Sequence, residues 1–285
     1  MITGDVAQSG QDILGDRNAG ALAKLRIKLC YLARHQRLPD LDVPTSFNEL
    51  VQRRKLQNRD MRMVTLADKV AVKALVADVL GAEWLIPTLW CGTTLPETLD
   101  LPSAYVVKTR HGCNQNIFVR EENPDWPSLQ ARTAQWSKRP YGLWLDEWLY
   151  AHIPRGLLIE PFVGKNGELP MDYKIYVFGG HARFVQVHLE RGKRHRWIVF
   201  NRNWTRVSAE TPDADPAPPA SLVHMLDAAE ALARGFDFVR CDFYQIDEQP
   251  LFGEMTFYPG SGLDKFNPVA LDKEFGRYWL EAGGR

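Results

Sequence analysis

Hydrophobic and polar positions change period about a third of the way along this chain. Up to Gly81 the apolar residues recur at helical spacing. Leu22, Leu25, Leu29 and Leu32 stand among Lys24, Arg26, Lys28 and Arg34, which predicts a basic amphipathic helix after a polar leader over residues 1–18. Its leucine face is expected to pack on the rest of the protein, a membrane surface or an acidic partner being the alternatives. Ser46, with Glu49 three residues later, is a capping-box start for a helix to about Asn58. Thr65 and Asp68 repeat the signal for a helix from Leu66 to Leu80, which would carry Lys69 and Lys73 on one face.

From about Pro102 the runs are short and β-rich. Tyr105–Lys108 and Ile117–Val119 predict a hairpin, Leu157–Glu160 a buried strand ending at Pro161, and Tyr173–Phe178 with Ala182–Leu189 a hairpin around Gly179-Gly180. Helical patches lie at Ser128–Ser137, Leu143–Ala151 and Ser221–Arg234, with Trp136, Trp144 and Trp148 expected in the core. Asn267-Pro268 reads as N-cap and first residue of a terminal helix.

Composition narrows the partners. The 285 residues hold 35 Lys plus Arg and 35 Asp plus Glu, so bulk charge does not point to nucleic acid or to a membrane. No signal-peptide pattern opens the chain and no apolar run reaches membrane-spanning length, so a soluble cytoplasmic protein without an integral membrane segment is expected. Cys30, Cys91, Cys113 and Cys241 lack metal-ligand spacing and read as buried thiols.

The candidate chemistry is concentrated late in the chain. A three-residue loop centred on Glu248 would set Asp242 opposite Glu254, with Arg240 and Thr256 on the same face and Val239, Cys241, Phe243, Leu251, Met255 and Phe257 on the other. Like charges directly opposite destabilise a strand pair, and a bound Mg²⁺ resolves the conflict; so does Arg240 bridging the two acids. Upstream, Lys108 ends an apolar strand before the polar loop Arg110–Asn116, an arrangement that surrounds phosphate oxygens with positive charge and N–H groups. Glu160-Pro161-Phe162 forms a strand-end hinge, and Asp172 and Lys174 alternate onto one strand face. The run Arg191–Arg196, flanked by Trp197 and Trp204, is a solvated turn or an electropositive rim for a polyanion. His111, His181 and His188 are structural or assist proton removal.

The order of these features resembles an ATP-grasp enzyme, and more closely the TupA-like ATP-grasp family, named for teichuronopeptide biosynthesis. The match is carried by Thr45–Glu49, Asp68-Lys69, Val107–Gly112, Asp172–Lys174, Phe238–Tyr244 and Phe252–Pro259. The resemblance implies an α+β fold in which two subdomains clamp ATP: an N-terminal helical extension over 1–64, a first ATP-grasp segment over 65–103, a lid over 104–159 and a core over 160–285. It further implies that Lys69, Lys108 and the loop carrying His111, Gly112, Cys113 and Asn114 contact phosphates, that Glu160 and Phe162 mark the adenine hinge, and that Asp172 meets the ribose. Lys174 would face the transferred phosphoryl group, Arg240 the reacting acyl phosphate, and Asp242, Glu254 and Thr256 the Mg²⁺. Thr256 departs from the superfamily, where Asn is common at that place, which leaves the number of protein ligands and of ions open.

The activity so implied is carboxylate–amine ligation through an acyl phosphate, on small carboxylate and amine substrates or an anionic cell-surface polysaccharide precursor. A phosphotransferase acting on a hydroxyl and a non-catalytic nucleotide-binding scaffold are the alternatives.

Overall fold

The structure, a computed structural model, describes residues 6–120, 124–138, 140–165, 168–189, 196–211 and 214–284, with side chains from residue 20 onward. Most of the basic run lies outside these residues. The architecture is α+β, built on two antiparallel sheets. The smaller has strand order β1-β4-β2-β3 and contains β1 (Trp90–Gly92), β2 (Tyr105–Thr109), β3 (Asn116–Val119) and β4 (Leu157–Pro161). The larger, in order β7-β6-β5-β8-β9, contains β5 (Asp172–Phe178), β6 (His181–Leu189), β7 (Arg196–Asn201), β8 (Phe238–Ile246) and β9 (Gln249–Thr256).

Around them lie α1 (Val6–His35), α2 (Phe47–Gln57), α3 (Met61–Ala67), α4 (Val72–Leu80), α5 (Trp126–Ser137), α6 (Trp148–His152), α7 (Leu222–Leu232) and α8 (Ala270–Glu281). The start of α2 is as expected, the Glu49 carboxylate accepting the Ser46 N–H at 3.2 Å.

Alternation gives the larger sheet two unlike faces. Ile175, Val185, Val187, Val239, Cys241, Phe243 and Met255 belong to a core that α7, α3 and α4 close. The other face divides along its length. At one end Tyr176, Phe178, Phe184 and Phe238 gather under Phe47 of α2 and Phe275 and Trp279 of α8; Phe47 meets Phe238 edge-on at 5.0 Å, and Phe184 stacks on Phe275 at 4.1 Å. Phe47 is 1% exposed, so its burial contributes on the order of 2 kcal/mol. At the other end the face is charged, and the candidate site lies there.

Several expectations are corrected. Helix α1 already begins at Val6, over a stretch expected as leader; that stretch contains no proline to stop it. The helix buries Ile27 and Tyr31 and leaves the leucine stripe exposed, because periodicity identifies an apolar face without saying which face is covered. The helix expected from Leu66 to Leu80 is broken at Asp68, which turns to an extended conformation, accepts the Val70 N–H at 3.0 Å and receives the Arg110 guanidinium at 3.0 Å. Lys69 therefore sits in the break and not on a face shared with Lys73. Helix α8 starts at Ala270 and not at Pro268; the Asn267 carbonyl accepts the Ala209 N–H of the loop after β7 at 2.7 Å instead of opening the helix. Trp144 is 73% exposed. Of the cysteines only Cys241 is fully buried; Cys30 and Cys113 are half-buried, and Cys91 is exposed on the edge strand β1.

Candidate active site

The β8–β9 hairpin sets the site. Its turn is two residues, Asp247 and Glu248, with φ of 49° and 68°, one residue shorter than the sequence suggests. The ladder runs from Ile246↔Gln249 to Phe243↔Phe252, then shifts, and resumes as Asp242↔Glu254 and Arg240↔Thr256. Gly253 is the extra residue of this bulge. The shorter turn and the bulge offset each other, so the two acids do face one another, while Phe252 takes the core place expected of Leu251. Glycine suits the position because a Cβ there would stand 3.0 Å from the Asp242 carbonyl oxygen.

Strand register then lines charges up across the sheet. Gln186, Lys174, Asp242 and Glu254 form one row over β6, β5, β8 and β9. Lys174 Nζ lies 2.5 Å from Asp242 Oδ2 and 2.7 Å from Asp172 Oδ2. Arg240 forks onto Asp242, Nε to Oδ1 and Nη2 to Oδ2, both at 2.7 Å. Its Nη2 also donates to the Thr256 hydroxyl at 3.2 Å, and that hydroxyl donates to Glu254 Oε1 at 3.2 Å. Lys69 Nζ stands 3.7 Å from Glu254 Oε2. Burial disfavours the charge on Lys174, but Asp172 and Asp242 outweigh it and the ammonium pKa is raised. Burial likewise opposes ionisation of Glu254, and Lys69, with Lys174 and Arg240, holds its carboxyl below the ordinary value.

The smaller sheet supplies the opposite wall. Glu160 accepts from Lys73 Nζ at 2.5 Å and Lys108 Nζ at 2.7 Å, and these two lysines overcome burial to keep its carboxyl below the ordinary value. The 110–116 loop is anchored by Arg110 on Asp68 and by Lys69 Nζ donating to the Gly112 carbonyl at 2.7 Å. Asn114 takes a left-handed φ of 58°.

Between the walls is a cleft of about 720 Å³. Lys69, Lys108, Gly112, Cys113, Asn114, Glu160, Asp172, Lys174, Arg240, Asp242, Glu254 and Thr256 all line it. His111 does not: it is 1% exposed beneath the loop, and burial lowers its pKa. Phe162 lines a smaller adjoining pocket with Phe118 and Tyr244, and Arg120 lies over its ring at 4.6 Å.

Two residues weighed in the sequence also line the cleft: His188, opposite Asp172, and Trp197, from β6 and β7. Others were not singled out. Tyr141, Glu147, Tyr150, Tyr258 and Ser261 close one end. Lys55 Nζ donates to the Ser261 hydroxyl and carbonyl, each at 3.0 Å. Burial pushes the Glu147 carboxyl up to about 7 and the Lys55 ammonium down to about 8, their mutual attraction opposing both shifts. Burial also raises the Cys113 thiol to about 11, which makes it a poor nucleophile. Around Tyr141 and Glu147 the sequence shows a helical patch from Leu143 but no motif that would have marked either residue as functional.

Among the described residues no cluster of three or more His, Cys, Asp or Glu forms a metal cage. Mg²⁺ needs only one or two carboxylates, the rest of its shell coming from water and phosphate. Glu254, with its side chain 29% exposed to the cleft, and Asp242 across from it fit that donor set, and the surrounding lysines and arginine fit the accompanying polyphosphate.

The sequence matches the profile of the TupA-like ATP-grasp family over residues 49–280. No curated protein matches it. Among solved structures it is similar to D-alanine–D-alanine ligase from Bacillus anthracis, at 16% identity over 76% of this chain and 67% of that one, with a TM-score of 0.45. It is also similar to D-alanine–D-alanine ligase from Helicobacter pylori, at 16% identity, 85% and 67% coverage and a TM-score of 0.42. L-amino acid ligase from Bacillus licheniformis matches at 14% identity, 79% and 45% coverage and a TM-score of 0.41. The chain thus spans about two thirds of the length of the two D-alanine–D-alanine ligases and less than half of the L-amino acid ligase.

Proposed function

The chain belongs to the TupA-like ATP-grasp family, and from that premise we propose that it is an ATP-dependent carboxylate–amine ligase. The observation that carries this reading is the charged row of Lys174, Asp242 and Glu254, braced by Arg240, facing Lys69, Lys108 and the Gly112–Asn114 loop across one cleft.

In this reading the substrate carboxylate attacks the γ-phosphorus of ATP, giving an acyl phosphate and ADP. The amine then attacks the acyl carbon, and inorganic phosphate leaves as the amide forms. Such chemistry rests on positioning and charge neutralisation rather than on a protein nucleophile. Asp242 and Glu254, with Thr256 beside them, would hold Mg²⁺, which when bound neutralises phosphate charge. Lys69 and Lys108 bind phosphate oxygens together with the backbone of Gly112, Cys113 and Asn114. Lys108 and Lys73 now share Glu160, so phosphate binding replaces one anionic partner with another. Glu160 and Phe162 border the adenine, Asp172 the ribose, Lys174 the transferred phosphoryl group, and Arg240 the acyl phosphate. Residues 104–159, which carry β2, β3, α5 and the start of β4, act as the lid.

The acceptor we infer is an anionic cell-surface polysaccharide or its precursor, joined to an amino acid or peptide at the cytoplasmic side. A saccharide ring would find aromatic surface on Trp197 in the cleft wall. No helix among the described residues is long and apolar enough to cross a membrane.

Incubation with ATP, Mg²⁺ and pools of amino acids and uronic-acid sugars, read by mass spectrometry, tests the proposal. A condensation product lacking one water, formed with equimolar ADP and inorganic phosphate, is expected. A phosphorylated sugar formed without free phosphate would instead assign a phosphotransferase.

A further inference from the structure

Helix α1 turns its leucines away from the protein. Leu22, Leu25, Leu29 and Leu32 are 64, 54, 56 and 39% exposed, whereas Ile27 and Tyr31 on the opposite side are 3 and 0% exposed. At 3.6 residues per turn the four leucines fall in one stripe with Ala21 and Ala33, which are exposed as well. Arg26 and Lys28 border that stripe on either side. Between Gly20 and Leu38 the chain carries Lys24, Arg26, Lys28, Arg34 and Arg37 and no Asp or Glu, in a protein whose formal net charge is zero.

A second exposed apolar group lies beside it. Leu143 and Trp144 are 56 and 73% exposed on a short 3₁₀ turn. The turn is fixed to α1 through Asp146, which accepts from Arg26 Nε at 2.8 Å, and Trp144 shares a crevice with Arg26, Ile27 and Cys30.

Charge decides what covers this face. The 22-25-29-32 spacing would serve as the seam between two copies of α1, but the positions bordering that seam are Arg26, which Asp146 of the same chain already engages, Lys28 and His35, and the facing helix would offer no acid to them. Two copies would set like charges against each other. An anionic bilayer suits both features: leucines at the acyl boundary, Lys and Arg among the phosphates, and Trp144 at headgroup depth. We propose that α1, with Leu143 and Trp144, docks in the plane of an anionic lipid surface. The proposal does not depend on the ligase reading.

Sedimentation of the full chain with phosphatidylglycerol–phosphatidylcholine vesicles, against phosphatidylcholine alone, tests it. Binding to the anionic vesicles is expected to be at least about tenfold stronger and to weaken as salt is raised. Leu25→Glu with Leu29→Glu removes the binding while leaving the thermal melt unchanged, because both side chains are exposed. Trp144→Ala, outside the helix, weakens it independently. Equal binding to both vesicle types, no binding to either, or binding unaffected by the paired glutamates would overturn the proposal. A dimer that dissociates in the Leu25→Glu, Leu29→Glu variant, with no vesicle binding, would assign the stripe to a second copy instead. Retention by an acidic protein, again with no vesicle binding, would assign it to that partner.

Discussion

At the scale of single residues, the site is a set of charges each held by an opposite one. Asp242 is 1% exposed yet meets both Lys174 and Arg240, and Glu160 is 6% exposed between Lys73 and Lys108. Breaking such a buried pair costs more than the pair contributes, because a desolvated charge is left behind. These residues were legible in the sequence through strand alternation, which put Asp172 with Lys174 and Arg240 with Asp242. Lys55 and Glu147 were not, since 92 positions separate them and only the fold brings them to Ser261. Glu147 also gives a pH dependence. Its carboxyl is raised from 4.5 to about 7, so the folded protein keeps a proton that the unfolded chain has already lost between those values. The stability this contributes is complete below the unfolded value and disappears as pH rises through 7. Denaturant midpoints at pH 5 and 7.5 should therefore show wild type losing on the order of 2 kcal/mol relative to Glu147→Gln across that range. An unchanged difference would remove Glu147 from the buried set.

At the scale of elements, most of the strands could be read from alternation, and the β5–β6 turn from Gly179-Gly180. What escaped was what long-range contacts decide. The break between α3 and α4 exists because Asp68 caps locally and receives Arg110 from β2's end, a partner 42 residues away. The β8–β9 turn shows a different limit: two counting errors, one in the loop and one at the bulge, cancelled at Asp242 and Glu254 but not at Leu251 and Phe252. The bulge also makes a prediction. Gly253→Ala places a methyl group 3.0 Å from the Asp242 carbonyl oxygen, so β9 must shift at the residue before Glu254. A loss of about 1–2 kcal/mol in chemical denaturation is expected, together with a fall in ATP turnover larger than the stability change accounts for. Full turnover in a folded Gly253→Ala protein would show that the spacing of the two acids does not depend on the bulge.

At the scale of the whole molecule, one face of the larger sheet is both core and cleft wall, and the division between them is set by α2 and α8. Phe47 sits at the centre of the aromatic cluster that covers the apolar half, meeting Tyr176, Phe178, Phe238, Phe266, Phe275 and Trp279. The segment expected as an N-terminal extension therefore builds part of the core against which Arg240 and Lys174 are held. Sequence periodicity showed that α2 exists, but its target lies some 130 to 230 residues further along the chain and was not readable. Phe47→Ala should cost about 3–5 kcal/mol in denaturant unfolding. A loss below about 1 kcal/mol would mean the helix is an appendage after all. The central claim is that the facing carboxylates of β8 and β9 serve a divalent ion and a triphosphate rather than only neutralising Lys174 and Arg240. The measurement that bears on it most directly is Mg²⁺-dependent ADP formation by wild type, Asp242→Asn and Glu254→Gln, each checked for an intact fold by circular dichroism. The account predicts turnover in wild type and its loss in both folded variants; turnover persisting in either, or independent of Mg²⁺, would contradict it.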